Sequence, residues 1–255
     1  MKDKLMNKMI IIFFTLISSC AQPNEKSNSI NIATSANMQF AMKVLSSEFT
    51  EQTNTKCHLI ISSSGKLTAQ IKEGAPFDIF VSADMKYPTE IYKYGLAISP
   101  PKIYAYGKLI LWSINNNIKP SLELLTKENI KHIALANPKT APYGIATKDV
   151  LKHYHLFNKL EDKLVFGESI SQTNHFITSQ SAELGFTSMS VVMSSQMRNK
   201  GNWIEIDSLA YSPIEQGIVV IKKDKRYNKD VNEFYDFLFS KKAKEILINY
   251  GYYVN

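Results

Sequence analysis

The sequence predicts an α/β protein of two lobes, each a mixed, mostly parallel sheet flanked by helices, with two crossovers between them. Three observations carry that prediction. From residue 30 onward, short apolar runs alternate with segments whose apolar residues recur at helical spacing, the pattern of βα units. The alternation comes as two successive series separated by Pro100-Pro101 and Gly107, and a strand-like segment, Gln216–Lys222, returns after the second. At 255 residues the chain is long enough for two modest domains, and it can bury a useful core without metal or disulfide staples.

Ile30–Ala33 reads as the first strand, and Met38, Ala41, Met42, Leu45 and Phe49 then follow helical spacing. His58–Ser62 is the next strand, with a short helix ending near Glu73-Gly74. Phe77–Ser82 is a third strand, and Lys86–Tyr94 a helix closed by Gly95. The second series opens with a strand at Lys108–Ser113. It continues with a helix near Leu122–Asn129, strand His132–Asn137, helix Tyr143–His155, strand Leu164–Gly167, helix Ser171–Gln180 and strand Leu184–Thr187. After the return strand come two terminal helices, the first with Val231, Phe234 and Leu238 on one face. The expected limits are 30–105 plus 215–255 for lobe 1 and 106–214 for lobe 2, with crossovers near 104–107 and 212–216. Such lobes turn strand carboxyl ends and helix N-termini toward one cleft, where open α/β sheets place their ligands.

Residues 1–20 read as an export signal: Lys2, Lys4 and Lys8 precede a nine-residue apolar run, Met9–Ile17, and small residues follow. That run is about half the length needed to cross a bilayer, which excludes an integral channel or permease. The segment closes Leu-Ile-Ser-Ser-Cys, which resembles a bacterial lipobox and makes Cys20 the expected lipidation site, with 21–29 a polar tether. Removing residues 1–19 deletes Lys2, Lys4, Lys8 and Asp3 and brings the formal charge from +7 to +5. The remaining lysines are scattered apart from short clusters at Lys222–Arg226 and Lys241–Lys244. Without an arginine-rich stripe or an RNA-binding aromatic motif, no nucleic-acid partner is expected. With Cys20 lipidated, Cys57 has no partner, and its apolar neighbours Leu59, Ile60 and Ile61 make it a buried free thiol.

Chemistry gathers at the turns after the strands. These are Thr34-Ser35-Ala36-Asn37, Ser62-Ser63-Ser64-Gly65, Asn137 through Gly144, and Glu168-Ser169-Ile170-Ser171. Each leaves a strand and enters a helix. Most offer hydroxyls and backbone N–H groups rather than charges. Unsatisfied N–H groups and about half a positive charge at each helix start would make four such turns around one cleft an anion site. A single Ser or Asn at a helix start is ordinarily only a cap; the weight lies in recurrence across both series and in three consecutive serines.

The longer motifs SSSGKLTAQIKEGAPFDIFVSAD (Ser62–Asp84), GKLILWS (Gly107–Ser113), NPKTAPYG (Asn137–Gly144) and AELGFTSMS (Ala182–Ser190) resemble the molybdate/tungstate-binding proteins of bacterial ABC importers. The C-terminal FYDFL, KAKEIL and YGY fit the same family, and the resemblance spans about residues 30–255. It implies a type II periplasmic-binding-protein fold, no catalytic residues, no cofactor, and molybdenum bound only as its oxyanion. It also implies a monomer held outside the cytoplasm by its N-terminal lipid, with an importer permease as partner. By the same resemblance Ser64 gives a hydroxyl and an amide, while Tyr143 and Ile170 give backbone amides. At the first turn an ungapped match uses Ala36 and Asn37, and a shifted match uses Ser35; Ser35 and Asn37 together are the expected donors. Ala36, Ser63 and Ser188 stand as further candidates, Ser188 occupying a place where some members carry a tyrosine.

Neutral donors suffice for such a dianion, because hydrogen bonds to a charged group contribute about 1.5–3 kcal/mol each. The competing readings are a binder of another tetrahedral oxyanion (sulfate, thiosulfate or phosphate) and an exported Ser/His hydrolase. Against the hydrolase, the chain has no G-x-S-x-G elbow and no HExxH, and its five histidines are scattered. His153 and His155, two apart on a helix, do not share a face. Asp84 is expected as a cap or lobe-packing residue, and Trp112 and Trp203 as core and surface packing.

Overall fold

The computed structural model describes residues 28–223 and 229–255. The export signal, Cys20, the tether as far as Ser27 and residues 224–228 lie outside the described residues. Ser29, expected in the tether, opens the first strand instead.

Ten described strands form two five-stranded sheets of matching topology. The first sheet has the order β2-β1-β3-β10-β4, built from β1 (Ser29–Ser35), β2 (Lys56–Ser62), β3 (Ile79–Val81), β4 (Lys102–Gly107) and β10 (Ile214–Val220). The second has the order β7-β6-β8-β5-β9, from β5 (Leu109–Ser113), β6 (Ile133–Ala136), β7 (Leu164–Gly167), β8 (Leu184–Ser188) and β9 (Asn202–Glu205). In each, four strands point the same way and one is reversed: β10 runs against both β3 and β4, and β5 against both β8 and β9. The sheets are therefore mixed and mostly parallel in strand direction, as expected, with the reversed strand in each making its two antiparallel pairings.

The helices are α1 (Gln39–Thr53), α2 (Ser64–Lys72), α3 (Lys86–Lys93), α4 (Pro142–His153), α5 (Ile170–Thr178), α6 (Met189–Val192), α7 (Lys229–Phe237) and α8 (Lys241–Asn249). The expected helix at 122–129 is only a 3-10 turn, Glu123–Thr126. Leu125 is buried, but Lys127, Glu128 and Asn129 are exposed, so no apolar stripe extends to a second turn. Two strands and one helix went unread: β4, placed where the chain was expected to cross over, β9, and the single turn α6.

Strand alternation explains the core of the first lobe. Ile30 and Ile32 face α1 and the terminal helices, where Met42, Leu45 and Phe49 meet Phe234 and Leu247. Phe49 and Phe234 stack edge to face at 5.1 Å. Ala33 and Phe80 face the other side, against Leu67, Ile71 and Ile91. In the second lobe all five β5 residues and all four of β6 are buried, as a strand covered on both faces requires. No described helix is long and apolar enough to cross a membrane.

The chain changes sheet at Lys108, between β4 and β5, so the expected limit at 105/106 falls inside β4. It returns between β9 and β10. A Cβ at Gly107 would lie 2.2 Å from Tyr143 Oη and 2.8 Å from Gln216 Nε2, so this hinge position has room only for hydrogen. Register then aligns the site: Ser35 is paired with Ser62 at the ends of β1 and β2, and Ala136 with Gly167 at the ends of β6 and β7.

Candidate functional site

Where the two sets of strand ends face each other, ten residues line a small, tightly closed-in cavity. Ser35, Ala36, Asn37, Ser63, Ser64 and Ala83 come from the first lobe. Ala141, Pro142, Tyr143 and Ile170 come from the second. All ten are uncharged. Ser35, Asn37, Ser64, Tyr143 and Ile170 are thus brought together from four turns, along with Ala36 and Ser63. Ser188 is set behind the lining, where its hydroxyl donates to Tyr143 Oη at 3.0 Å.

Three of the four helix starts around this cavity are bare. Neither Ser35 before the Ala36–Met38 turn, nor Ser63 before α2, nor Ala141 before α4 supplies a side-chain cap. Pro142 opens α4 at a position that needs no N–H. Only Ser169 caps, accepting from Gln172 N–H before α5. First-turn amides have no intrahelical acceptor, so bare starts leave N–H groups available to a ligand. Serine is among the best N-caps, and two serines that do not cap at two such turns are the opposite of the structural expectation.

The hydroxyls have separate fates. Ser64 Oγ accepts from Ala83 N–H at 3.0 Å, which leaves its own proton free to point away from Ala83. Ser63 Oγ is buried without a partner. Ser35 Oγ donates to Asn37 Oδ1 at 2.7 Å, while Asn37 Nδ2 donates to Gln216 Oε1 at 2.8 Å and Tyr252 Oη at 2.9 Å. The side chain of Asn37 is therefore an anchor, and what it has left to offer a ligand is its backbone. Ala83, Ala141 and Pro142 carry no polar side chain, so none of them stands out as a donor, although Ala141 and Pro142 lie in the turn from Asn137 to Gly144. Gln216, Tyr252 and Ser190 reach the site from distant positions that no local motif connects.

None of the ten lining residues carries a charge. Burial keeps the Tyr104 and Tyr143 hydroxyls well above the usual phenol range and pushes Tyr252 up to about 12, so all three are neutral at physiological pH. The cation nearest in sequence to the second turn, Lys66, pairs with Glu168 of the other lobe, both substantially exposed.

Several hydrogen bonds close the lobes on each other. Gly65 N–H donates to Thr140 O at 2.9 Å and Ser171 Oγ to Gln39 Oε1 at 2.6 Å. The other constellations resolve as packing. Asp84 Oδ1 accepts from Tyr87 N–H at 3.2 Å near the start of α3, as a capping residue does. Asp78 accepts from Asn31 N–H and pairs with Lys223. Trp112 is buried with its indole N–H on Lys200 O, and Trp203 is partly exposed. Among the described residues no cluster of His, Cys, Asp and Glu could hold a metal ion.

Residues 30–253 match the family described as bacterial extracellular solute-binding protein. The chain is 35% identical to the molybdate-binding protein ModA of Azotobacter vinelandii, over 93% of each chain. It is 34% identical to ModA of Rhodobacter capsulatus, over 86% of each. The solved structure of the Azotobacter vinelandii periplasmic molybdate-binding protein superposes with a TM-score of 0.84 at 30% identity, covering 89% of this chain and 99% of that one.

Proposed function

This chain belongs to the bacterial extracellular solute-binding protein family, and from that membership we propose that it captures molybdate, or the near-identical tungstate, for an ABC importer. The observation that carries the ligand class is the cavity walled by uncharged residues at four helix starts, three of them without a side-chain cap. We assign the donors to Ser35, whose hydroxyl turns from Asn37 Oδ1 to the ligand, and the backbone N–H of Asn37 at the first turn, Ser64 at the second, and the amides of Tyr143 and Ile170 in the other lobe. Five to seven charge-assisted bonds of about 1.5–3 kcal/mol give roughly 8–21 kcal/mol gross, against the roughly 8–12 kcal/mol that micromolar to nanomolar binding requires, so desolvation and closure are offset when the bonds are well formed.

Selectivity follows from the same geometry. A guanidinium would attract any oxyanion, whereas a ring of fixed amides rewards the anion whose oxygens reach all of them at once. The lining also holds no carboxylate to accept a proton from hydrogen phosphate. Donors in both lobes mean that only the closed form satisfies the ligand, so binding shifts the population toward closure, a state that a permease can recognise. Transport rather than catalysis accounts for the site, and no cofactor is needed. Lipid attachment at Cys20 and action as a monomer complete the reading.

Isothermal titration of the protein against molybdate, tungstate, sulfate, thiosulfate and phosphate tests it. Tight binding of the first two, with the others at least about a hundredfold weaker, is the expected result. Sulfate or phosphate binding as tightly as molybdate would overturn the selectivity argument.

A further inference from the structure

Behind the cavity, away from the ligand side, a chain of buried hydroxyls joins the two lobes. Tyr143 Oη accepts from Ser188 Oγ at 3.0 Å, and Ser188 Oγ lies 2.9 Å from Ser190 Oγ in the same lobe. Ser190 Oγ then donates across to the Asn37 carbonyl at 2.6 Å. That carbonyl also receives Tyr252 Oη at 3.1 Å, and Tyr252 Oη accepts in turn from Asn37 Nδ2. Asn37, Tyr143, Ser188, Ser190 and Tyr252 are all at most 4% exposed. The approach is close: a Cβ on Gly251, next to Tyr252, would lie 2.7 Å from the Met189 side chain on α6.

The Ser190–Asn37 hydrogen bond crosses between the lobes, and its loss on opening would strand neither partner. The Asn37 carbonyl keeps Tyr252, and Ser190 Oγ keeps Ser188. A buried polar group left without a partner would make opening steep, and an apolar contact would give no directional control. We propose that Ser190 and Tyr252 are positioning residues: a clasp that fixes Asn37 in its donating orientation when the lobes close, without touching the anion. Tyr252 holds Asn37 within its own lobe, and Ser190 adds the bond that exists only on closure. The inference rests on the molybdate-capture reading and adds to it a pair of residues that act through Asn37.

Molybdate titration and stopped-flow release on wild type, Ser190→Ala, Ser190→Thr and Tyr252→Phe test the clasp. Loss of one neutral hydrogen bond predicts a Kd raised about five- to tenfold in Ser190→Ala. The change should lie mainly in a faster release rate, with the ligand-free Tm unchanged. Ser190→Thr, which keeps the hydroxyl, should restore both. Tyr252→Phe should weaken binding and make the Ser190→Ala effect larger, because the Asn37 carbonyl then has no second donor. Wild-type affinity and release in Ser190→Ala would overturn the clasp. So would a weakened affinity matched by an equal loss of ligand-free stability, or one that Ser190→Thr leaves uncorrected. If the wild type binds neither molybdate nor tungstate, the capture reading fails and the clasp fails with it; binding by the wild type with unchanged variants removes the clasp alone.

Discussion

Asp84 sits one residue from the cavity lining and illustrates how a single side chain is set by competing terms. Burial raises its carboxyl above the ordinary value, opposed by the hydrogen bonds from Tyr87 N–H and Ser82 Oγ. Because the folded pKa lies above the unfolded one, the folded state binds more protons between the two values. Stability therefore falls as pH rises through that window, and the ionised form weighs against folding at neutral pH. Asp84→Asn keeps an acceptor oxygen for Tyr87 N–H and removes the charge. Thermal unfolding should show the variant melting above wild type at pH 7, with the difference closing as pH falls toward about 3, where the carboxyl is protonated in both the folded and unfolded states. A lower melting temperature at pH 7 would mean that the carboxylate earns its place as an anion. Cys57 shows the simpler case: its free thiol is partly buried rather than buried as expected, because β2 is an edge strand, and that burial still pushes it up to about 11.

The helix starts make opposite demands of stability and of binding. A capped α2 would satisfy its own first-turn amides, and a ligand site needs them left open. Ser63→Asp puts a good cap and a negative charge at the positive end of α2, a change that stabilises a helix by about 0.5–2 kcal/mol. The same carboxylate occupies the amides and repels an anion. Unfolding with and without molybdate should therefore show a higher ligand-free melting temperature and no shift on adding ligand. A rise with the ligand shift retained would mean that the α2 amides do not face the anion. These turns were legible in the sequence because strand, turn and helix start are local events: Ser35, Asn37, Ser64, Tyr143 and Ile170 each stand at a visible change of periodicity. Strand β4 was hidden by Pro100-Pro101 and its tyrosines, and the short β9 and α6 are too brief to show a period. Gln216, Ser190 and Tyr252 were invisible as site residues for another reason. Their importance comes from contacts across 153 to 215 positions, which no periodicity encodes.

Matching topology in the two sheets is what lets separate turns act together, since each sheet delivers its parallel strand ends to the same gap. How closely they can approach is set by Gly65. Its N–H donates to Thr140 O, and a Cβ there would lie 3.0 Å from both Thr140 Cα and Thr140 O. Those atoms belong to the backbone of the opposite lobe, so they yield only if the lobes part. The Lys66–Glu168 pair beside it is exposed, and salt screening limits its share in closure to about 1 kcal/mol or less. Gly65→Ala consequently separates closure from folding. Within its own lobe the new methyl meets only the movable end of the Tyr87 side chain, so the ligand-free melting temperature should stay near wild type. Across the gap it holds the lobes apart, so molybdate affinity should fall by at least about tenfold, a loss of roughly 1.4 kcal/mol. Small-angle scattering should show wild type contracting on addition of molybdate and the variant contracting less. A variant that contracts and binds like wild type would mean that the lobes close without the Gly65–Thr140 contact, and that the cavity is sealed by some other approach.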